Sequence, residues 1–347
     1  MIKYINISLQ LYNMEFPNSH YKFDKSNFKR FFAIQNDIIQ SYNSNPRNVL
    51  EDIKKPSKVY ICGMGGSAIA SDMLKIYLKK ELEIITIRNY HLPETINKND
   101  LVIISSYSGN TEESINCYRT ARRLGVQIII HTSGGKLAET ASQARLALIK
   151  LPTGYPPRSA LASSFFLLLR LFEDLGLITK KQEEVDALVD YIQKNNFENI
   201  SMNLSEKLVN KIPLIYASEN YYPVAYRWKT QFNENAKIAA FSGSYPELNH
   251  NELEGFSQNK ELFHVISLTF DDDFSRMKKR INNTKQALTT NGISVTELEI
   301  KGSSLNKIFS AVLLGDWVSY FLALRLEVDP YPVAVIEKFK RSLGPFI

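Results

Sequence analysis

The chain has 347 residues, 44% of them hydrophobic and 22% charged, and its 42 basic and 36 acidic side chains give a net charge of +6. That length accommodates two domains with a sizeable buried core. The positive charge is spread, with no basic block longer than a pair or triplet, which excludes the clustered basic stripe of a nucleic-acid binder.

At the N-terminus, Met1-Ile2-Lys3-Tyr4-Ile5-Asn6 lacks the apolar stretch of a signal peptide, and Met14 is a second candidate start preceded by a loose extension. Residues 25 to 50 predict a helical lead-in, with Phe28, Phe31, Phe32, Ile38 and Ile39 on one face and Gln35 as a polar gap. A strand–helix alternation follows. Strands are expected over Lys58–Cys62, Glu83–Arg88, Leu101–Ser105, Val126–Thr132 and Ala147–Leu151, with helices over Ser67–Lys80, Thr111–Leu124 and Lys136–Ala144. Short strands separated by helices predict a doubly wound parallel sheet. The loop Pro152-Thr153-Gly154-Tyr155-Pro156-Pro157 ends the pattern, and helices fill Ala160 to about Asn195. The longest apolar run, Phe165 to Leu171, is interrupted by Arg170 and fits a buried helix, so no membrane span is expected.

A second alternation starts near Ile212. Strands are expected at Leu214–Ala217, Lys237–Phe241, Leu262–Thr269 and Ser294–Ile300, and helices at Val224–Asn235, Leu248–Phe256, Phe274–Thr289 and Leu305–Leu326, with a closing helix at about Val333–Ser342. The reading is an α/β protein with two doubly wound domains: a lead-in over 1–50, a first domain over 51–200 and a second over 201–347. Cys62 and Cys117, the only cysteines, make neither a disulfide scaffold nor a metal motif, and a reducing cytoplasm fits them.

The most informative segment is the strand-to-helix junction Gly63-Met64-Gly65-Gly66-Ser67. Such a junction aims backbone N–H groups and the positive end of a helix dipole at an anion. It lacks the G-x-G-x-x-G spacing of a dinucleotide loop and the Gly-Lys-Ser/Thr of a P-loop. A second loop, Ser106-Tyr107-Ser108-Gly109-Asn110-Thr111, repeats the chemistry about forty residues later. Ser106, Ser108 and Thr111 either face one anion or cap a helix that begins with Glu112 and Glu113; both readings use the same dipole. Two such loops in one sheet suggest a phosphorylated, non-nucleotide substrate, and the second half carries no such pair. Arg158, held behind Pro156-Pro157, offers a fixed fork of donors to an oxyanion. Later come Asn233-Glu234-Asn235-Ala236-Lys237 and Pro246-Glu247-Leu248-Asn249-His250-Asn251-Glu252, polar segments beside predicted core strands. Glu234 and His250 form a usable proton-transfer set near neutral pH once folding joins them. They lack metal-site spacing, and neither metal nor cofactor is expected.

Taken in order, these segments, with Pro157-Arg158-Ser159-Ala160-Leu161 and Val328-Asp329-Pro330, resemble the bifunctional phosphoglucose/phosphomannose isomerase family of the sugar isomerase (SIS) fold group. The two loops mark the wider group, and the Asn-Glu-Asn-Ala-Lys and Asn-His-Asn-Glu segments are the more specific. The resemblance implies two SIS-type domains, each a mostly parallel five-stranded sheet flanked by helices. It implies interconversion of glucose 6-phosphate and mannose 6-phosphate with fructose 6-phosphate through a cis-enediolate. Gly65, Gly66, Ser67, Ser106, Ser108 and Thr111 would bind the phosphate. Glu234 would move the proton, Arg158 would stabilise the intermediate, and His250 would assist ring opening with a lysine of the last helix. Lys340 fits that lysine best, with Lys338 two residues away as the alternative. A homodimer is implied, with His250 reaching the partner's active site. Tyr331 stands where the family often has a smaller residue. The competing expectations are a sugar-phosphate sensor on the same fold, which has no use for Glu234 and His250, and an isomerase of another sugar phosphate.

Overall fold

A computed structural model describes residues 5–7, 16–44, 50, 53–344 and 346. Met14 and residues 45–49 of the expected lead-in lie outside the described residues. The chain divides into two compact units: Met1–Phe32 with Asp190–Gly344, and Ala33–Val189 with Pro345–Ile347.

In the second of these, five parallel strands are ordered β3-β2-β4-β5-β6: β2 Val59–Cys62, β3 Ile84–Ile87, β4 Leu101–Ser105, β5 Gln127–Thr132 and β6 Ala147–Lys150. Every residue of β2 and β4 is buried, as expected of central parallel strands covered on both faces. From β2 the chain passes through helix α2, Gly66–Leu78, outward to β3. It then returns across β2 to β4 and continues outward through α3, Glu112–Leu124, and α4, Gly135–Ala144. With right-handed crossovers this reversal sends α2 to one face of the sheet and α3 and α4 to the other. Ile115, Cys117, Tyr118 and Ala121 of α3 and Leu137 and Ala141 of α4 share one core cluster with Tyr60, Val102, Ile104 and Ile130, and α2 contributes nothing to it. The connections that leave β2 and β4 part to opposite faces, and such a reversal point, at the carboxyl ends of the strands, is where open α/β sheets bind ligands. Helix α1, Gln35–Tyr42, packs on α5, Leu161–Asp174, and the Tyr42 hydroxyl donates to Glu173 at 2.7 Å. Arg170, which interrupts the longest apolar run, pairs with Asp174 one turn on at 2.9 Å. Helix α6, Gln182–Lys194, completes the expected helical stretch.

The other unit has the order β1-β10-β9-β7-β8. Strands β7 Ile212–Ser218, β8 Phe241–Tyr245, β9 Phe263–Phe270 and β10 Ser294–Ile300 are parallel, and β1, Ile5–Ile7, is antiparallel at the edge of β10. The reversal point is repeated between β7 and β9. Helix α10, Ser304–Arg325, is long and apolar enough to cross a membrane by length and composition, which corrects the expectation that no segment reaches that length. In this unit 94% of its most apolar window is buried, as in a core helix. α10 packs against α8, Tyr222–Gln231, where the Trp228 indole donates to the Ala311 carbonyl at 2.7 Å and buried Arg227 pairs with buried Asp316 at 2.8 Å.

Four local expectations change. The lead-in is a 3-10 turn, Phe28–Phe32, followed by α1, so Ile39 is 41% exposed and leaves the apolar face. Helix α7, Glu198–Lys207, was not anticipated; it buries Met202 and Leu204 between polar neighbours, a weak periodic signal. The strand expected at Lys237–Phe241 begins where that range ends, because Lys237 takes a left-handed conformation at φ 60° that a strand cannot accommodate. The helix expected at Leu248–Phe256 is two 3-10 turns, Glu247–His250 and Glu252–Ser257, separated by Asn251 at φ −146°, ψ −52°.

Candidate active site

Both serine loops leave the carboxyl ends of the two strands that flank the first reversal point, β2 and β4. Their close approach is built from small residues. A Cβ on Gly66 would lie 2.6 Å from the Pro157 carbonyl oxygen, so only glycine lets the segment carrying Arg158 sit against the first loop. Gly109 has φ 67°, and a Cβ there would lie 1.8 Å from the Gly134 carbonyl oxygen. Ser67 Oγ accepts the Tyr107 N–H at 2.9 Å, which stitches the loops together and leaves its hydroxyl proton to donate elsewhere. Ser106 Oγ accepts the Gly109 N–H at 3.1 Å and bonds Thr111 Oγ1 at 2.8 Å, while exposed Ser108 accepts the Asn110 N–H at 3.2 Å. Neither α2, with Gly65 at its N-cap, nor α3, with Thr111 there, has a side-chain cap bond. Thr111 caps α3 by position but its hydroxyl turns to Ser106 instead, so the first-turn amides are not consumed by it.

Arg158 is 4% exposed on the 3-10 turn Pro157–Ser159, and Tyr107 positions the loop before it. The Tyr107 hydroxyl donates to the Pro152 carbonyl at 3.0 Å and accepts the Tyr155 N–H at 2.9 Å. This unit therefore sets the loop Gly63–Ser67 against both the loop Ser106–Thr111 and the turn that carries Arg158. Just beyond β3, where a dinucleotide-binding fold would carry an acidic residue, Arg88 is ion-paired with Asp72 of α2.

Behind the loops lies a support that sequence reasoning missed. Ser105 Oγ bonds the Ser67 carbonyl oxygen at 3.2 Å and His131 Nδ1 at 3.1 Å, and Ser114 Oγ donates to the Ser105 carbonyl. A serine hydroxyl has one proton. If it goes to the Ser67 carbonyl, His131 must donate from Nδ1–H, leaving Nε2 as a bare acceptor, and Nε2 indeed has no partner. Burial lowers the pKa of His131 to about 3, so the ring stays neutral. The signal was a lone histidine in the apolar strand run Gln127-Ile128-Ile129-Ile130-His131.

In the other unit, Glu234 lies on a π-helical turn, Phe232–Ala236, that continues α8. The polar density around it is mostly used in holding that turn. Asn233 donates to the Ile238 carbonyl at 2.8 Å and buried Asn235 to Ser319 Oγ at 2.9 Å. The Lys237 ammonium donates to the carbonyls of Glu234, Pro330 and Pro332. Glu234 is half-buried in a cleft of about 390 Å³ whose other lining residues are Asn233, Lys237, Ile238 and Pro332 through Ile336. Single π turns of this kind concentrate at functional sites.

His250 is exposed on the Glu247–His250 turn, and Lys338 and Lys340 are exposed on α11, Ala334–Ser342; none of the three lines the Glu234 cleft. Tyr331 does not line it either: its ring stacks on Phe31 at 6.5 Å and meets Phe28 edge-on at 6.3 Å. Among the described residues, no three His, Cys, Asp or Glu are grouped to hold a metal ion.

Two doubly wound units, with paired hydroxyl loops at one reversal point, define a SIS-domain protein, and residues 52–173 match the SIS domain family. Residues 197–343 match the bacterial phospho-glucose isomerase C-terminal SIS domain. A bifunctional phosphoglucose/phosphomannose isomerase from Caldicellulosiruptor bescii is 35% identical over 335 residues, covering 91% of this chain and 98% of that protein. The chain belongs to the bifunctional phosphoglucose/phosphomannose isomerase family and is an isomerase. A D-glucosamine-6-phosphate 4-epimerase from Sulfolobus acidocaldarius is 37% identical over 211 residues, 60% of this chain and 67% of that one. Among solved structures, a hypothetical protein from Thermus thermophilus superposes with a TM-score of 0.75 over 94% of this chain and 92% of its own, at 14% identity, a likeness of fold.

Proposed function

We propose that the protein interconverts glucose 6-phosphate and mannose 6-phosphate with fructose 6-phosphate, without a metal, through a cis-enediolate. The observation that carries this reading is the placement of Glu234: a half-buried carboxylate on a π turn whose polar neighbours are committed to holding it. A carboxylate held at the edge of a cleft lined by Ile238, Val333 and Ile336 suits proton transfer between adjacent carbons of a bound substrate.

In this reading Ser67, Ser106, Ser108 and Thr111, with the backbone at Gly65 and Gly66, hold the substrate phosphate at the ends of α2 and α3. Glu234 takes the C2 proton of the aldose and returns it to C1. The negative charge that develops on the substrate oxygens is met by the Arg158 guanidinium, which is buried and needs no reorganisation. The enediolate is planar at C2, so reprotonation on either face yields glucose or mannose 6-phosphate. The partner subunit's His250 and this chain's Lys340, or Lys338 beside it, assist ring opening, which makes the working unit a homodimer. The two free cysteines fit a cytoplasmic enzyme.

A second reading, isomerisation of another sugar phosphate, draws on the 4-epimerase relative. One assay separates the readings: EDTA-treated protein is given fructose 6-phosphate, and glucose 6-phosphate and mannose 6-phosphate are followed separately. Both products are expected. Binding without either product would overturn the proposal in favour of a sensor or another substrate.

A further inference from the structure

One cleft in the unit that carries Glu234 has no part in the chemistry above. It measures about 470 Å³ and lies between the segment Asn249 to Leu253 and one face of α9, Ser275–Thr290. Its lining holds three cations, Arg276, Lys279 and Arg280, and no carboxylate. Arg276 is three and four residues from Lys279 and Arg280, so it faces both along the helix, where like charges repel. The usual remedy, a carboxylate within ion-pair distance, is missing for all three among the described residues, although Lys285 one turn on has Glu297 at 2.8 Å. No acidic residue occupies the first turn of α9.

The cleft is also partly organised. Asn249 Oδ1 accepts from Arg280 Nη1 at 3.3 Å, and its Nδ2 donates to Thr284 Oγ1 at 2.7 Å, so the amide orientation and one edge of the guanidinium are set. Other donors of Arg280, and those of Arg276, Lys279 and Asn283, remain for a ligand. From Arg276 to Arg280 the helix rises about 6 Å, more than one phosphate group spans. Leu253 and Ala287 supply an apolar wall.

We propose that this cleft binds a small polyanion bearing two adjoining phosphate groups. Asn249 precedes His250 on the same turn, so an occupant would bear directly on the position of that histidine. The binding itself does not depend on the isomerase reading.

The test is calorimetric titration of inorganic pyrophosphate, without metal, into the full-length protein and two variants. One variant combines Arg276→Gln and Lys279→Gln, side chains with no hydrogen bond or ion pair to lose among the described residues. The other is Ser67→Ala in the phosphate loops. The double variant is expected to weaken pyrophosphate binding at least about tenfold, in keeping with the loss of two charge-assisted contacts, while KM for fructose 6-phosphate stays within about twofold. Ser67→Ala should leave pyrophosphate binding intact. Equal affinity in the double variant, loss of binding in Ser67→Ala instead, or no binding at millimolar pyrophosphate would each overturn the proposal. The double variant's melting temperature, expected to be unchanged, reports on its folding.

Discussion

The two units share a sheet plan and a reversal point, yet fill that point in opposite ways. Between β2 and β4 the crevice is lined by small and hydroxyl residues, and the helices that begin there have no side-chain caps. Between β7 and β9 the chain supplies its own ions. Asp271 and Asp272, just past β9, hold buried Lys307 of α10 at 2.9 and 2.8 Å, and the Tyr221 hydroxyl donates to Asp272 at 3.0 Å. The Tyr221 ring lies flat on Phe270, 3.6 Å between centroids. Burial alone would raise the pKa of Asp272, but the Lys307 ammonium outweighs it and holds the carboxyl below its usual range. An internal cation thus stands where a ligand would bind. The difference teaches that a reversal point offers a site only when its backbone donors and charges are left unspent. The unit built on β7 and β9 contributes instead through the π turn that carries Glu234.

If that contrast is right, the largest effect belongs to Glu234. Glu234→Gln should lower kcat by roughly 10²–10⁴-fold, with binding of fructose 6-phosphate near normal by calorimetry. Retained activity would remove the unit that carries Glu234 from the chemistry. Next comes acid sensitivity, which each unit carries in one buried histidine. Burial is the main cause that lowers His131 to about 3 and His264 to about 4. Both folded values lie below the unfolded value of about 6.5, so their contribution is fully present above that pH and is lost as pH falls toward 4. At pH 5 each should cost about 2 kcal/mol relative to pH 8, read from urea unfolding. A flat profile over that window would mean the rings are not buried and neutral.

Smaller effects separate the two crevices directly. Ser67→Ala should raise KM for fructose 6-phosphate about tenfold with little change in kcat, because phosphate contacts act alike in ground and transition states. A large fall in kcat at constant KM would count against a phosphate role. Lys307→Met should leave KM and kcat untouched and cost roughly 1–2 kcal/mol in denaturant unfolding, less than a fully buried pair because the two aspartates are partly exposed. A raised KM there would mean that the second crevice also serves the substrate.

The sequence alone determined the α/β alternation, because β-branched apolar runs separated by amphipathic stretches have few other ways to bury both faces. Leu101–Ser105 is such a run, and it kept its bounds. The Gly63–Ser67 and Ser106–Thr111 loops were legible because their turns demand small and hydroxyl residues. Tertiary structure alone decided the rest. It set the partners of Asn233, Asn235 and Lys237, which hold Glu234 through carbonyls and a hydroxyl as far away as Pro332 and Ser319. It turned Leu248–Phe256 into two short turns, placed His131 behind Ser67, and set Tyr331 against Phe28 and Phe31. Periodicity reports which face of an element is buried, but hydrogen bonds between residues dozens of positions apart exist only once the chain has closed on itself.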